Sequence, residues 1–127
     1  MLPAKVSTSN IRILKERILA LSHALRGLKV MVVTQPHARI HTVATGVVIV
    51  WGWLIHLSRT EWMVVALCIG MVWAAEALNT AIEFLADEVT LERRERIGNA
   101  KDASAAAVLV ASVVSLVVWG LILWKRF

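Results

Sequence analysis

From Ala103 to Trp124 the sequence carries no charged residue. A stretch of that length and character has few ways to fold. In hydrocarbon every backbone N–H and C=O must be satisfied within the segment, which selects helix. About 20 apolar residues suffice for a helix to cross a bilayer. Two further apolar segments precede it, at about 40–57 and 62–85, separated by the polar turn Leu57-Ser58-Arg59-Thr60-Glu61. The expected fold is therefore an all-α integral membrane protein with three transmembrane helices in a single 127-residue domain. Composition agrees: 58% of residues are hydrophobic and 18% charged, against near half and a quarter in soluble domains. Several of the six Trp fall near the ends of apolar runs, where an amphipathic ring suits the interface.

Ahead of the first span, Ile11, Leu14, Ile18, Leu21, Leu25 and Leu28 recur at helical spacing, with Arg12, Lys15, Glu16, Arg26 and Lys29 on other faces. This pattern predicts a basic amphipathic helix over about 11–33, lying on a membrane surface. Residues 1–9 read as a lead-in, with Ser9 or Asn10 as a helix cap. Gln35-Pro36 ends that helix. No short apolar stretch with a cleavage site behind it marks a signal peptide. The single Cys68 sits in an apolar run, offers no metal-ligand spacing and reads as packing.

The net charge of +5 is unevenly spread. Seven of the 14 basic residues precede residue 40, and four more lie between Arg93 and Lys101. In so apolar a chain this balance points to anionic headgroups and phosphates. No zinc-finger, helix-turn-helix or RNA-binding signature is present, so nucleic acid is not expected as a partner. Lysine and arginine in the flanks place the N-terminus and the polar 88–102 loop on the cytoplasmic side of the membrane.

The second span carries the chemistry. Glu76, Asn79, Thr80, Glu83 and Asp87 stand at i, i+3, i+4, i+7 and i+11, which is one face of a helix. Carboxylates at membrane depth are expensive and are poor packing residues. One reading is a structural acid stripe paired with another helix. The stronger reading is a proton-handling or metal-binding site at the membrane boundary. Downstream, Arg93, Arg94 and Arg96 lead into Asn99-Ala100-Lys101-Asp102. Cationic side chains suit phosphate oxygens and carboxylates suit Mg²⁺. Together they suggest phosphoryl transfer, in which a protein chiefly positions groups and neutralises charge. Neither GxxxxGK[ST] nor GxGxxG occurs, so any nucleotide is held by another arrangement. The rival class is a proton or cation relay using Glu76 and Glu83 for transport, which would have no need of the basic loop. A catalytically inactive regulatory subunit is the other alternative.

The run from Glu76 to Asp87 (EALNTAIEFLAD), followed by Ala100 to Leu109 (AKDASAAAVL), resembles the prokaryotic diacylglycerol kinase family, which includes undecaprenol kinases. The patterns E-x-x-N-[ST]-A-I-E-x-x-x-D and A-K-D-x-x-x-A-A-V-L at this separation are specific, and the likeness extends over about residues 11–124. Ala38-Arg39-Ile40-His41 resembles the entry to the first span in the undecaprenol-kinase-like branch. The resemblance implies a homotrimer and transfer of the ATP γ-phosphoryl to a membrane lipid hydroxyl. It implies that Glu76 is the general base, Asn79 its polar neighbour, and Glu83 a Mg²⁺ ligand. Lys101 and Asp102, with Glu92, Arg93 and Arg94, are implied as nucleotide contacts. Where known members place a second metal-binding Glu, this chain has Gln35, an oxygen donor without charge. His23 stands where some members have a nucleotide-contacting aromatic residue.

Overall fold

The computed structural model describes residues 8–126. The lead-in over residues 1–7 and Phe127 lie outside the described residues. Four helices account for nearly all the rest: α1 (Thr8–Thr34), α2 (Pro36–Leu54), α3 (Arg59–Val89) and α4 (Glu95–Trp124). There is no strand among the described residues. α1 already begins at Thr8, so Ser9 and Asn10 lie inside its first turn rather than capping it.

The elbow between α1 and α2 follows from Pro36. Proline's missing N–H is harmless in a first helical turn, and its ring pushes the residue before it out of the helical region. Gln35 is accordingly extended at φ −101° and ψ 116°, and Pro36 opens α2. The last carbonyls of α1 still need donors. Arg39 supplies two, its Nε to the Val32 carbonyl at 3.2 Å and its Nη2 to the Val33 carbonyl. Met31, 2% exposed, anchors this end of α1 within the protein.

At the opposite end of the molecule, Ser58 and Glu61 form a capping box that starts α3. The Glu61 N–H donates to Ser58 Oγ at 3.3 Å, and the Ser58 N–H to Glu61 Oε2 at 2.8 Å. His56, at φ 54°, occupies the left-handed region and turns the chain there. Arg126, beyond the end of α4, closes over this turn. Its guanidinium donates to the carbonyls of Ile55 and His56 and to Glu61 Oε2, the last at 2.6 Å. The Ser58 N–H and hydroxyl, then Arg126, hold the Glu61 carboxyl down at about 2. Leu57, Val65 and Ile122 form a small core beneath. Gly52 is needed here: a Cβ would lie 2.7 Å from Leu57 Cδ1 and 3.1 Å from Trp62 Cη2.

α3 and α4 pack antiparallel as the main helical pair. Alanines and serines on α4 permit the close approach, and Ser115 Oγ reaches the Ala111 carbonyl at 2.7 Å and the Cys68 carbonyl at 3.4 Å. α2 is tied to α3 by a bond from Trp73 Nε1 to Thr45 Oγ1 at 3.0 Å. Trp51 and Trp119 meet edge to face, centroids 6.1 Å apart.

Among the described residues, α3 and α4 are long and apolar enough to cross a membrane. Almost none of α4's most apolar stretch is covered by the rest of the chain. α2, at 19 residues, is shorter than α3 and α4 and carries His37, Arg39 and His41 at its start. The polar stretch 88–102 is mostly helix rather than loop. α3 runs on to Val89 and α4 starts at Glu95, leaving 90–94 as the connection. Glu, Arg, Lys and Ala are good helix formers wherever they lie, so charge alone did not mark the ends of these helices. Gly98 is absorbed by a bond from its N–H to the Arg94 carbonyl at 2.9 Å.

Candidate active site

The acidic face of α3 turns inward where α1 and α4 flank it. Glu76 is 2% exposed, and Asn79 and Thr80 are buried beside it. Glu83 is half-buried and Asp87 exposed, so the stripe rises from the interior to the surface in three turns. No basic side chain pairs with Glu76 or Glu83 among the described residues.

The polar groups of α3 and α4 form one chain of contacts. Asn79 Nδ2 donates to Glu83 Oε1 at 3.2 Å. Asn79 Oδ1 accepts from Ser104 Oγ at 2.7 Å, in a buried contact between the two helices. The same hydroxyl lies 2.8 Å from the Lys101 carbonyl, one turn back on α4. Lys101 Nζ donates to Asp87 Oδ1 at 2.9 Å. This bond first, then the charges of Asp87 and Glu83, raise the Lys101 ammonium above its ordinary pKa against the pull of desolvation. The antiparallel pairing thus brings Lys101 to the upper end of the acidic stripe.

A recess of about 610 Å³ opens between α1 and α3, lined among others by His23, Arg26, Met31, Thr80 and Phe84. Thr80 Oγ1 is buried and makes no hydrogen bond among the described residues. His23 Nδ1 lies 3.3 Å from Arg26 Nη2, which donates to it.

Of the residues singled out in the sequence, Asn79, Glu83 and Lys101 are brought together, with Glu76 one turn deeper on the same face. Asp102 is exposed on α4. Glu92, Arg93 and Arg94 are exposed in and beside the connection, where Glu92 and Arg94 pair with each other at 3.5 Å. Gln35 sits half-buried at the elbow, its backbone N–H bonded to the Met31 carbonyl at 2.9 Å. Its side chain makes no hydrogen bond to Glu76 or Glu83 among the described residues. Sequence reasoning missed Ser104. It stands among alanines, and only the docking of α4 on α3 sets it against Asn79.

Among the described residues, no three His, Cys, Asp or Glu side chains form a ready-made metal cage. Glu76, Glu83 and Gln35 offer oxygens only. Magnesium commonly takes one or two protein carboxylates and completes its shell with water and substrate phosphates. The donor set fits a nucleotide-borne Mg²⁺ better than a metal held by protein alone.

Residues 22–123 match the family model described as prokaryotic diacylglycerol kinase. The chain is 38% identical over 96 residues to the undecaprenol kinase of Bacillus subtilis, covering 76% of this chain and 78% of that one. It is 29% identical over 124 residues to the diacylglycerol kinase of Escherichia coli K12, covering 98% of each. It is also 33% identical over 107 residues to the diacylglycerol kinase of Synechocystis, covering 84% of this chain and 61% of that one.

Proposed function

The chain belongs to the prokaryotic diacylglycerol kinase family and is a lipid kinase, and from that premise we propose that it transfers the γ-phosphoryl group of ATP to a membrane alcohol at the cytoplasmic face of the bacterial inner membrane. The observation that carries this reading is the buried Glu76, one turn below the Asn79–Glu83–Lys101 group. Glu76 accepts the proton of the lipid hydroxyl as its oxygen bonds to the γ-phosphorus and the bond to the ADP oxygen breaks. A carboxylate is a competent general base when it lies within hydrogen-bond reach of that hydroxyl. Lys101 holds phosphate oxygens, and the exposed Arg93, Arg94, Glu92 and Asp102 contribute the outer nucleotide contacts. Glu83, with Gln35 in support, would hold Mg²⁺, which would supply charge neutralisation for the triphosphate.

In this reading α2, α3 and α4 all span, with α1 on the cytoplasmic surface, and three chains assemble as a homotrimer. The lipid arrives laterally. Glu76 lies deep in an apolar helix, so its hydroxyl partner must reach that depth, and the recess between α1 and α3 reaches Ala77 and Thr80, its neighbours on α3. Among lipids we favour undecaprenol over diacylglycerol. Ala38-Arg39-Ile40-His41 and the 38% identity to the Bacillus subtilis undecaprenol kinase support that choice.

The test is phosphorylation with radiolabelled ATP of diacylglycerol, undecaprenol, ceramide and monoacylglycerol in mixed micelles, with a short-chain soluble alcohol in competition. Label should enter the lipid fraction and most strongly undecaprenol. Absence of labelled lipid refutes the activity assignment. Comparable turnover of the soluble alcohol refutes lateral entry. A preference for diacylglycerol overturns the choice of lipid alone.

A further inference from the structure

We propose that Ser104 is a positioning residue for the active site: its hydroxyl fixes which way the Asn79 amide points and so presents an N–H donor to Glu83. The inference rests on the reading of Glu83 as the Mg²⁺ carboxylate.

An asparagine amide has two faces, a carbonyl that only accepts and an NH₂ that only donates. Asn79 is buried between α3 and α4, with Glu83 on one side and Ser104 on the other. With NH₂ toward Glu83, at 3.2 Å, the amide meets a carboxylate with a donor. Its carbonyl then needs a donor on the α4 side, and the Ser104 hydroxyl at 2.7 Å provides it. The reverse orientation sets the amide oxygen against a carboxylate oxygen, two acceptors with no hydrogen between them.

Ser104 has a single hydrogen and two acceptors within reach, Asn79 Oδ1 and the Lys101 carbonyl at 2.8 Å. Bonding to the carbonyl three residues back is what a helical serine does without a partner. Giving the hydrogen to Asn79 orders the amide instead. Alanine at 104 removes that donor and leaves a buried carbonyl oxygen unsatisfied, which is the expensive outcome for a polar group. Flipping the amide would not help, because its oxygen would then face the Glu83 carboxylate.

The experiment has two arms on the full chain in detergent micelles. In the first, Mn²⁺ stands in for Mg²⁺ and its binding with a non-hydrolysable ATP analogue is read by electron paramagnetic resonance. Variants are Ser104→Ala, Asn79→Ala, their double mutant and Glu83→Ala. Ser104→Ala should weaken Mn²⁺ binding roughly three- to tenfold, the range of one net hydrogen bond. In the Asn79→Ala background the same change should have little effect, because the group that Ser104 orients is gone. An equal loss in both backgrounds means general packing and overturns the proposal, as does unchanged binding in Ser104→Ala. Binding that Glu83→Ala leaves intact refutes the Glu83 assignment itself, a separate failure. The second arm needs no metal. The chain has three asparagines, Asn10, Asn79 and Asn99, so the ¹⁵N side-chain amide of Asn79 can be assigned by substitution. Ser104→Ala should shift and broaden that signal while the other two hold still. An unmoved Asn79 signal rejects the proposal whatever becomes of the metal site.

Discussion

Replacing Glu76 by glutamine should act on stability and on turnover in opposite directions. Glu76 is 2% exposed and has no basic partner among the described residues. An ionised carboxylate in that position has given up its hydration with little return, an effective penalty of several kcal/mol. Glutamine keeps nearly the same volume and removes the charge. A net stabilisation on the order of 1–2 kcal/mol follows, since a buried amide still carries a desolvation cost of its own. Catalysis moves the other way. An amide does not accept the hydroxyl proton, and general-base assistance is worth roughly 10²–10⁴-fold. The assay pairs ATP-dependent lipid phosphorylation with thermal denaturation of the purified protein in one detergent. The expected variant is more heat-resistant and retains at most about one hundredth of wild-type turnover. Turnover above about a tenth of wild type refutes the base assignment. Loss of both activity and stability shows that Glu76 is a packing residue whose carboxylate the fold itself requires.

Glu83→Ala should raise the Mg²⁺ concentration for half-maximal rate roughly tenfold or more at saturating ATP, with little change in the lipid KM; an unmoved Mg²⁺ midpoint removes Glu83 from the metal site. Gln35→Glu should lower the apparent Mg²⁺–ATP KM severalfold, because a carboxylate offers a full charge where an amide offers a dipole; no change places residue 35 away from the metal. The Lys101 ammonium is raised above 10.5 chiefly by Asp87. Its interactions are therefore complete below pH 10.5 and lost as pH rises through the raised value. Asp87→Asn should bring the alkaline limb of activity down toward the ordinary lysine value, and an unshifted limb detaches that limb from Lys101. Arg126→Ala should lower the thermal midpoint on the order of 5 °C while leaving turnover at low temperature intact; a normal midpoint means that the clamp over the α2–α3 turn is not holding the fold.

Much of this was legible from residue patterns. The uncharged run to Trp124 is read directly from residue order, and the acidic stripe at i, i+3, i+4, i+7 and i+11 follows from helix period. The elbow at Gln35-Pro36 followed from proline geometry. The helix ends around 88–102 did not, because charged helix formers resemble a loop when only polarity is read. α3 and α4 instead continue as helix past their apolar stretches on either side of the five-residue connection. Interhelical hydrogen bonds were out of reach for another reason. Ser104 stands among alanines and has no local partner that singles it out; only the antiparallel docking of α4 on α3 sets it against Asn79. Arg39 looked like part of an entry motif, and its work on the carbonyls of α1 emerges only once the chain has bent back on itself.

The Arg126 clamp also bears on the order in which the molecule is made. Its partners Ile55, His56 and Glu61 lie 71, 70 and 65 positions earlier in the chain. The ribosome therefore makes the α2–α3 hairpin well before the residue that fastens it exists. During that interval the hairpin depends on its local devices, the Ser58–Glu61 capping box and the turn at His56. A nascent chain halted inside α4 would not yet carry the residue that latches this turn.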